Sequence, residues 1–225
     1  MAARERILVS WSSGKDSAWM LHVLREEGRH EIAGLVTTIN RHFDRVAMHG
    51  VRHDLLRAQA NALDVPLTSI PLPWPCSNGE YERIMRDELQ RAASEGITGM
   101  AFGDLFLEDV RAYREKLFAG SGITPIFPIW GMETAKLARA MVDAGTQAHL
   151  VCIDPKQCDK RFIGRKFDHA LLDDLPAGVD PCGERGEFHT FVSGGPMFVG
   201  RLNVALGKVV ERDGFVFADV IDVAG

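Results

Sequence analysis

The chain has 225 residues, and 46% of them are hydrophobic, which is enough to bury a substantial core in one large domain or in a domain with a smaller appendage. Its formal net charge is -5 at pH 7 and its basic residues are scattered, which argues against a nucleic-acid groove that depends on phosphate contacts. No run of about 18 apolar residues occurs and the N-terminal residues lack a signal-peptide core, so we expect a cytoplasmic protein with no membrane association.

The cysteines give no sign of a metal or redox pair. The chain has four of them, Cys76, Cys152, Cys158 and Cys182, and no two form a CxxC pair. This spacing excludes a zinc knuckle and the paired cysteines of a sulfur-transfer loop. Isolated thiols suit a reducing compartment.

The first predicted strand, residues 7–10, runs directly into the segment Ser-Trp-Ser-Ser-Gly-Lys-Asp-Ser at positions 10–17 and then into a helical stretch. A strand, a short loop and a helix start in this order are typical of a phosphate site. A Walker loop requires GxxxxGKS or GxxxxGKT, but the residue five before Gly14 is Val9, and Asp16 stands where the motif needs Ser or Thr. The segment therefore predicts a phosphate loop of another kind.

The residue types of this loop favour an anion. Gly14 permits close backbone approach to a ligand, and the helix that follows directs its N–H groups and positive dipole end to the same point. We interpret Lys15 as the cation that neutralises a polyphosphate, and Asp16 either as the helix cap or as a ligand of magnesium. An ordinary Ser-Gly turn is the alternative. The hydroxyl groups available to a phosphate belong to Ser12, Ser13 and Ser17.

Strand and helix signals then alternate through the first half of the chain. This alternation predicts an α/β, Rossmann-like parallel sheet with helices on both faces. The later predicted strands of this half span 32–38, 67–70 and 99–102, and the predicted helices span 17–27, 51–63, 81–93 and 110–119.

Ligands of an open parallel sheet collect at the carboxyl ends of its strands, so two further predicted loops matter. The segment after the second strand, 37–40, offers Thr37 to an adenine or a ribose, with a plain strand end as the alternative. The segment after the fourth strand contains Gly103 and Asp104. We expect Asp104 to contact magnesium or the nucleotide, with a simple turn as the alternative.

The pattern changes after residue 124. A Pro-rich entry leads to a predicted helix at 133–144 and a strand at 149–153, and a loop-rich region then precedes strands at 188–192, 200–209 and 215–223 that read as antiparallel. We predict an ATP-binding domain over residues 1–124 and a smaller C-terminal α+β lobe over 125–225 that packs tightly on it.

A second cluster of reactive residues lies at 180–191, which reads Asp-Pro-Cys-Gly-Glu-Arg-Gly-Glu-Phe-His-Thr-Phe. Two glycines in this run permit close approach of a ligand. On a strand Glu187 and His189 share a side, so we predict that this carboxylate and imidazole sit together in a cleft. Cys182 is open to interpretation as a functional thiol or as a buried filler. A solvated acidic turn is the alternative for the whole run.

Several segments together resemble the diphthine–ammonia ligase family of ATP pyrophosphatase-loop proteins, within the adenine nucleotide alpha-hydrolase-like superfamily. The loop at 12–17 alone suggests only the superfamily, and Ser13 replaces the first glycine of its SGGKDS pattern. The Gly-Glu-x-Gly-Glu segment at 183–187 is the family-specific signal. The other matching segments are Met-His-Gly at 48–50, Gly-Asp-Leu at 103–105, Pro-Ile-Trp-Gly at 128–131 and Gly-Pro-Met-Phe at 195–198.

The resemblance implies that a substrate carboxylate attacks the α-phosphate of ATP, pyrophosphate leaves, and ammonia then displaces AMP to form an amide. Ser12 to Ser17 would bind the departing pyrophosphate, and magnesium near Asp16 or Asp104 would spread the developing charge. Together with the residue patterns, this assigns catalysis to Lys15, Asp16, Glu184, Glu187 and His189. It assigns the nucleotide to Ser12, Ser13, Gly14, Lys15, Asp16, Ser17, Thr37, Gly103 and Asp104.

The sequence indicates the type of reaction more clearly than the identity of the acceptor. The family's pattern has a second acidic residue where this chain has His189 and a glycine where it has Arg185, so the acceptor pocket has altered charge. We expect a small-molecule or protein-borne carboxylate as acceptor and free ammonia as nitrogen donor, because the chain has no room for a glutaminase domain. Nucleic acid is not an expected partner, and a homodimer is left open.

Two other functions compete with the ligase. A non-catalytic nucleotide-binding or sensing protein would also carry the phosphate loop, but it would have little need of the carboxylates and histidine at 184–190. Thiolation of tRNA by a related enzyme is disfavoured by the missing cysteine pair and the acidic charge.

Overall fold

The computed structural model describes residues 4–42, 45–46 and 50–223, and in this part of the chain it has two β-sheets and six α-helices. Residues 48 and 49 of the predicted Met-His-Gly motif lie outside the described residues. The elements of the first half are β1 Glu5–Ser10, α1 Lys15–Glu27, β2 His30–Asn40, β3 Arg45–Val46, α2 His53–Leu63, β4 Leu67–Leu72, α3 Asn78–Ser94, β5 Gly99–Ala101, α4 Glu108–Phe118 and β6 Thr124–Ile126. Those of the second half are α5 Thr134–Asp143, β7 Gln147–Ile153, a 3-10 helix Lys160–Phe162, α6 His169–Asp174, β8 Phe188–Gly194, β9 Val204–Arg212 and β10 Phe215–Asp222.

The first sheet confirms the predicted Rossmann-like fold. Its strand order is β3-β2-β1-β5-β6, and β4 also pairs with β2. All of these pairings are parallel except that of β3, which is antiparallel to the end of β2. The chain moves from β1 to β2 and β4 on one side and then crosses to β5 and β6 on the other. The carboxyl ends of β1 and β5 therefore form the switch point where ligands of such sheets bind.

The second sheet is antiparallel, with strand order β8-β7-β10-β9, which agrees with the predicted α+β lobe. Its inner residues belong to the same buried cluster as those of the first sheet. This cluster joins Ile7 and Leu35 of the parallel sheet to Leu150 and Phe191 of the antiparallel one. A separate cluster under α3 and α4 includes Met85 and fills the space between these helices and the parallel sheet.

Three predicted segments differ from the structure. Residues 37–40, predicted as a loop, are strand residues, because β2 continues to Asn40 and pairs with β4 over this length. The Pro-rich segment after 124 contains β6, so the predicted boundary between 124 and 125 falls inside a strand, and the division into domains remains a prediction. The strand predicted from 200 begins at Val204, because the preceding segment is held by α1 and α2.

That segment is fixed by two hydrogen bonds to the first half of the chain. The guanidinium of Arg25 donates to the carbonyl of Met197 at 2.6 Å, and the amide of Val199 donates to the carbonyl of Ala62 at 2.8 Å. Among the described residues, no helix combines the length and the apolar character needed to cross a membrane.

Candidate active site

The loop between β1 and α1 lies at the switch point of the parallel sheet, where it was predicted. Ser13 has a left-handed backbone with φ of 72°, a conformation that glycine adopts more readily than serine. Gly14 is the N-cap of α1 and has no side chain to cap it. The alternative that Asp16 caps the helix is therefore wrong, since Asp16 lies in the first turn.

A clasp made of Gln59 of α2 and Val192 of β8 holds the backbone of this loop. The Gln59 side chain is fully buried and donates to the carbonyls of Ser13 at 3.1 Å and Val192 at 2.6 Å. Its amide oxygen accepts from the indole of Trp11 at 2.9 Å. The amide of Val192 donates to the same carbonyl of Ser13 at 2.9 Å. Sequence reasoning missed Gln59, although a glutamine among the apolar positions of α2 was a usable signal.

The serine hydroxyls of the loop are arranged unequally. The Oγ atoms of Ser12 and Ser17 are 3.1 Å apart, and Ser17 donates to the carbonyl of Gly14 at 2.9 Å. The Ser13 hydroxyl is buried and has no hydrogen-bond partner among the described residues. Buried hydroxyls are usually paired, so this one is available to a ligand that enters the loop.

Lys15 is directed into the protein rather than toward an open phosphate site. Its side chain is buried, and Nζ donates to both oxygens of Asp16, at 3.0 and 2.8 Å, and to the carbonyl of Cys182. Nζ also lies 5.3 Å from the ring centroid of Phe167 and 5.6 Å from that of Phe188. Burial is the largest single influence and opposes the charge, but the surrounding negative groups, Asp16 foremost, together outweigh it and the pKa of Lys15 is raised. Lys15 therefore joins the loop to the second half of the chain as a charged side chain.

The loop after β5 approaches the phosphate loop closely. A Cβ atom on Gly103 would lie 3.1 Å from the backbone carbon of Asp16 and the backbone nitrogen of Ser17, so a side chain at this position would crowd the phosphate loop. The next residue, Asp104, accepts two hydrogen bonds from the Arg114 guanidinium. The predicted pair Gly103 and Asp104 thus lies beside the start of α1.

Residues 180–187 fold back on themselves around two carboxylates. Asp180 accepts from the amides of Cys182 at 2.9 Å and Glu184 at 3.3 Å. Glu187 is buried, and its oxygens accept from the amides of Asp180 and Arg185, both at 2.9 Å. The Glu187 carboxylate therefore stabilises the conformation of this loop.

Glu184 is the carboxylate that faces the phosphate loop. Its Oε1 accepts from the amide of Leu105 at 2.7 Å, which ties the loop at 180–187 to the loop after β5. Burial, together with the nearby charges of Asp16 and Asp104, raises the pKa of Glu184 to about 7. A carboxylate with such a pKa can exchange a proton near neutral pH.

His189 does not lie with Glu187 in one cleft. It lies on β8 and lines a cavity of about 350 Å³ together with Asn40, Trp74 and Cys152, and Glu187 is not among the described lining residues. Burial and the charge of Lys15 lower the pKa of His189 to about 4, so its ring is neutral at neutral pH. Thr37 is buried within β2.

Cys182 has the properties of a structural thiol. It is buried, and its Sγ donates to the carbonyl of Thr134 at 3.5 Å. Burial raises the pKa of this thiol, so it stays protonated and unreactive.

The surroundings of Asp16 and Asp104, the predicted magnesium ligands, limit how these carboxylates could hold the ion. No group of three or more histidine, cysteine, aspartate or glutamate residues in the described part of the chain could hold a metal ion. Asp16 already accepts from Lys15, and Asp104 from Arg114. Magnesium bound to a nucleotide usually takes only one or two carboxylates besides phosphate oxygens, and carboxylates retain lone pairs when they accept such bonds. Asp16 and Asp104 fit that limited role.

Comparison with known proteins shows similarity to one family along most of the chain. The model of the diphthamide synthase N-terminal domain matches residues 5–125, and that of the diphthamide synthase C-terminal domain matches residues 133–220. The chain is 23% identical to the diphthine–ammonia ligase of Bos taurus over 237 residues, which cover 96% of this chain and 88% of the relative. It is 23% identical to that of Homo sapiens, with the same coverage. It is 25% identical to that of Schizosaccharomyces pombe over 92% of this chain but only 37% of the relative.

Proposed function

Because the chain belongs to the diphthamide synthase family, we propose that it is an ATP-dependent ligase that converts a carboxylate to an amide with ammonia, releasing AMP and pyrophosphate. The observation that carries the proposal is the meeting of three loops at one end of the parallel sheet. The phosphate loop, the loop at Gly103 and Asp104, and the loop that carries Glu184 contact one another there.

The first step forms a mixed anhydride. A carboxylate oxygen of the acceptor attacks the α-phosphorus of ATP, the bond to the pyrophosphate oxygen breaks, and pyrophosphate leaves with the electron pair. The Ser13 hydroxyl and the first turn of α1 bind the phosphates, because an unpartnered hydroxyl and a helix start both favour an anion. Magnesium, when bound at Asp16 and Asp104, would neutralise phosphate charge.

The second step forms the amide. The nitrogen of ammonia attacks the acyl carbon, the bond from that carbon to the AMP oxygen breaks, and one proton must leave the nitrogen. We assign this proton to Glu184, whose pKa of about 7 suits a base near neutral pH. Lys15 and Glu187 act as positioning residues in this scheme. Lys15 holds Asp16 and the loop at Cys182, and Glu187 holds the loop that carries Glu184.

A diphthine-like acceptor is supported by the names of the relatives, and a different carboxylate remains the competing proposal because of Arg185 and His189. The neutral ring of His189 lines the cavity of about 350 Å³, and this cavity is our candidate for the acceptor. We propose that the protein acts in the cytoplasm and that its partners are ATP, ammonia and the acceptor.

The test is incubation with ATP, magnesium, ammonium and a panel of carboxylates, followed by assay of AMP and pyrophosphate. We expect AMP and pyrophosphate in equal amounts, and only when an accepted carboxylate is present. Formation of ADP and phosphate, or tight ATP binding without turnover for every acceptor, would favour the nucleotide-sensing alternative.

Glu184→Gln separates the two steps. The variant keeps the acceptor for the Leu105 amide but cannot take a proton. We expect the variant to retain the acceptor-dependent exchange of pyrophosphate into ATP. Its rate of amide formation should fall about 100-fold, which is the lower end of what a general base contributes. Glu26→Gln, at an exposed position of α1, is the matched control. Equal loss of both activities in Glu184→Gln would contradict the assignment.

A further inference from the structure

A cavity of about 520 Å³ opens in the second half of the chain, where β7 begins and β8 ends. Its volume lies in the range of small-molecule sites. None of the described residues of the three loops at the candidate active site lines it. The segment at Met197 and Val199, which precedes the lining residue Arg201, contacts the far ends of α1 and α2. Phe167 lines the cavity, and its ring centroid also lies 5.3 Å from Nζ of Lys15.

One residue that lines this cavity, Thr146, carries a buried hydroxyl without a partner among the described residues. Thr146 lines the cavity and is only 6% exposed, and its Oγ1 makes no hydrogen bond with a described residue. A hydroxyl that is removed from water without a partner destabilises the protein. A ligand with a polar atom at this position would satisfy it.

The charges around the cavity favour an anion. Lys166 and Arg201 are exposed at its rim, and neither forms a salt bridge with a described residue. Among the described lining residues, the one carboxylate is that of Asp168, and it already accepts from the amide of Leu171 at 2.9 Å as the cap of α6. Burial and the charge of Lys166 lower the pKa of His149, the remaining titratable group in the described part of the lining, so its ring is neutral near pH 7.

We propose that this cavity is a second ligand site, separate from the nucleotide site, and that it binds a small organic anion with a carboxylate or phosphate group. Lys166 and Arg201 bind the anionic group, and the Thr146 hydroxyl pairs with a polar atom at the inner end of the ligand. The apolar side chains of Ala148 and Phe167 contact the body of the ligand. This proposal does not depend on the proposed ligase reaction.

Calorimetric titration with succinate and with inorganic phosphate tests the site in the full chain. The nucleotide site is first saturated with the unreactive analogue α,β-methylene-ATP, so that phosphate cannot bind there. We expect saturable binding of at least one probe, and the probe that binds better identifies the carboxylate or the phosphate as the preferred group. Absence of saturable binding for both probes would overturn the proposal.

Two sets of variants locate the binding. The double variant Lys166→Gln with Arg201→Gln should weaken binding at least tenfold, and Thr146→Val, which keeps the side-chain volume, should weaken it about fivefold. The control is Arg57→Gln with Lys116→Gln, which removes the same charge from exposed positions on α2 and α4 and should change affinity less than twofold. Equal weakening by the two double variants would show a nonspecific charge effect and overturn the site.

Discussion

When no ligand is bound, two features of Ser13 destabilise the phosphate loop. Its backbone has φ of 72°, and its buried hydroxyl has no partner among the described residues. The first feature costs a residue with a Cβ roughly 1–2 kcal/mol, and the second roughly 1–3 kcal/mol. Both are tolerated because the clasp of Gln59 and Val192 fixes the Ser13 carbonyl.

Ser13→Gly should therefore stabilise the protein without ligand. Glycine removes both unfavourable features but adds about 0.5–1 kcal/mol of backbone entropy in the unfolded chain. We expect a net gain of about 1–4 kcal/mol, which corresponds to a melting temperature higher by about 2–16 °C for a chain of this size. Ser13→Ala removes the hydroxyl but keeps the Cβ, so it should stabilise less. Equal melting temperatures for the two variants would show that the backbone strain at Ser13 is no larger than the entropy cost of glycine.

Glu184 should make stability depend on pH in the direction opposite to most carboxylates. Its pKa is raised from 4.5 to about 7 on folding, so the folded state holds the proton more tightly than the unfolded state. The stability from this group is present below the unfolded pKa and is lost as pH rises toward 7.

Thermal melting of Glu184→Gln against the wild type at two pH values checks this dependence. The neutral amide mimics the protonated acid, so the two proteins should melt at similar temperatures at pH 5. At pH 8 the variant should melt higher, because it lacks a charge in a site that disfavours one. Glu26→Gln should show no such difference between the two pH values. A variant that melts lower than the wild type at pH 8 would contradict the raised pKa.

At the scale of elements, α2 contributes to the site through a single side chain. Gln59→Leu would leave the Trp11 indole and the carbonyls of Ser13 and Val192 without this partner. We expect a loss of about 2–4 kcal/mol in the free energy of unfolding and at least tenfold weaker ATP binding. Urea unfolding measures the change in the free energy of unfolding, and ATP titration measures the change in affinity. Gln90→Leu, at an exposed position of α3, is the control and should leave ATP affinity unchanged.

The regular elements of the first half could be predicted because their apolar periodicity is strong and glycines mark their ends. Gly28, with φ of 60°, ends α1 as an apolar pattern followed by glycine predicts. The short elements β3 and β6 could not, since β3 has only two residues and the proline within β6 is atypical of a strand. The position of the phosphate loop at a sheet edge followed from the order of strand, loop and helix.

The orientation of individual side chains in the site could not be predicted to the same extent. Alternation along a strand placed Glu187 and His189 on one side, but Glu187 precedes β8 and turns toward the amides of its own loop. Lys15 follows a phosphate-loop pattern and yet points to Asp16 and Cys182. These orientations depend on contacts between distant parts of the chain, which local patterns do not contain.

At the scale of the whole molecule, the phosphate loop is completed by a strand from the other half of the chain. The amide of Lys15 donates to Oγ1 of Thr190 on β8 at 3.1 Å, and these residues are 175 positions apart. The two sheets also share one buried cluster. Nucleotide binding is therefore expected to depend on the second half of the chain even if no residue of that half contacts ATP.

Thr190→Val tests this dependence with almost no change in volume. It leaves the buried amide of Lys15 without its acceptor, and we expect roughly 1–2 kcal/mol weaker ATP binding, a fall in affinity of about fivefold to thirtyfold. Ser193→Ala on the same strand is the control, since its hydroxyl bonds the carbonyl of Gln147 instead. Unchanged ATP affinity in Thr190→Val would mean that the loop holds its shape without β8.

The same pairing of Ser13 and Lys15 with β8 has a consequence for how the protein is made. A ribosome releases the N-terminal residues first, and domains generally fold as they emerge. Here the loop near the N-terminus cannot take its final shape until residues 190–192 have left the ribosome. The growing chain should thus gain affinity for ATP only after residues 190–192 have emerged, as contacts between such distant residues form late.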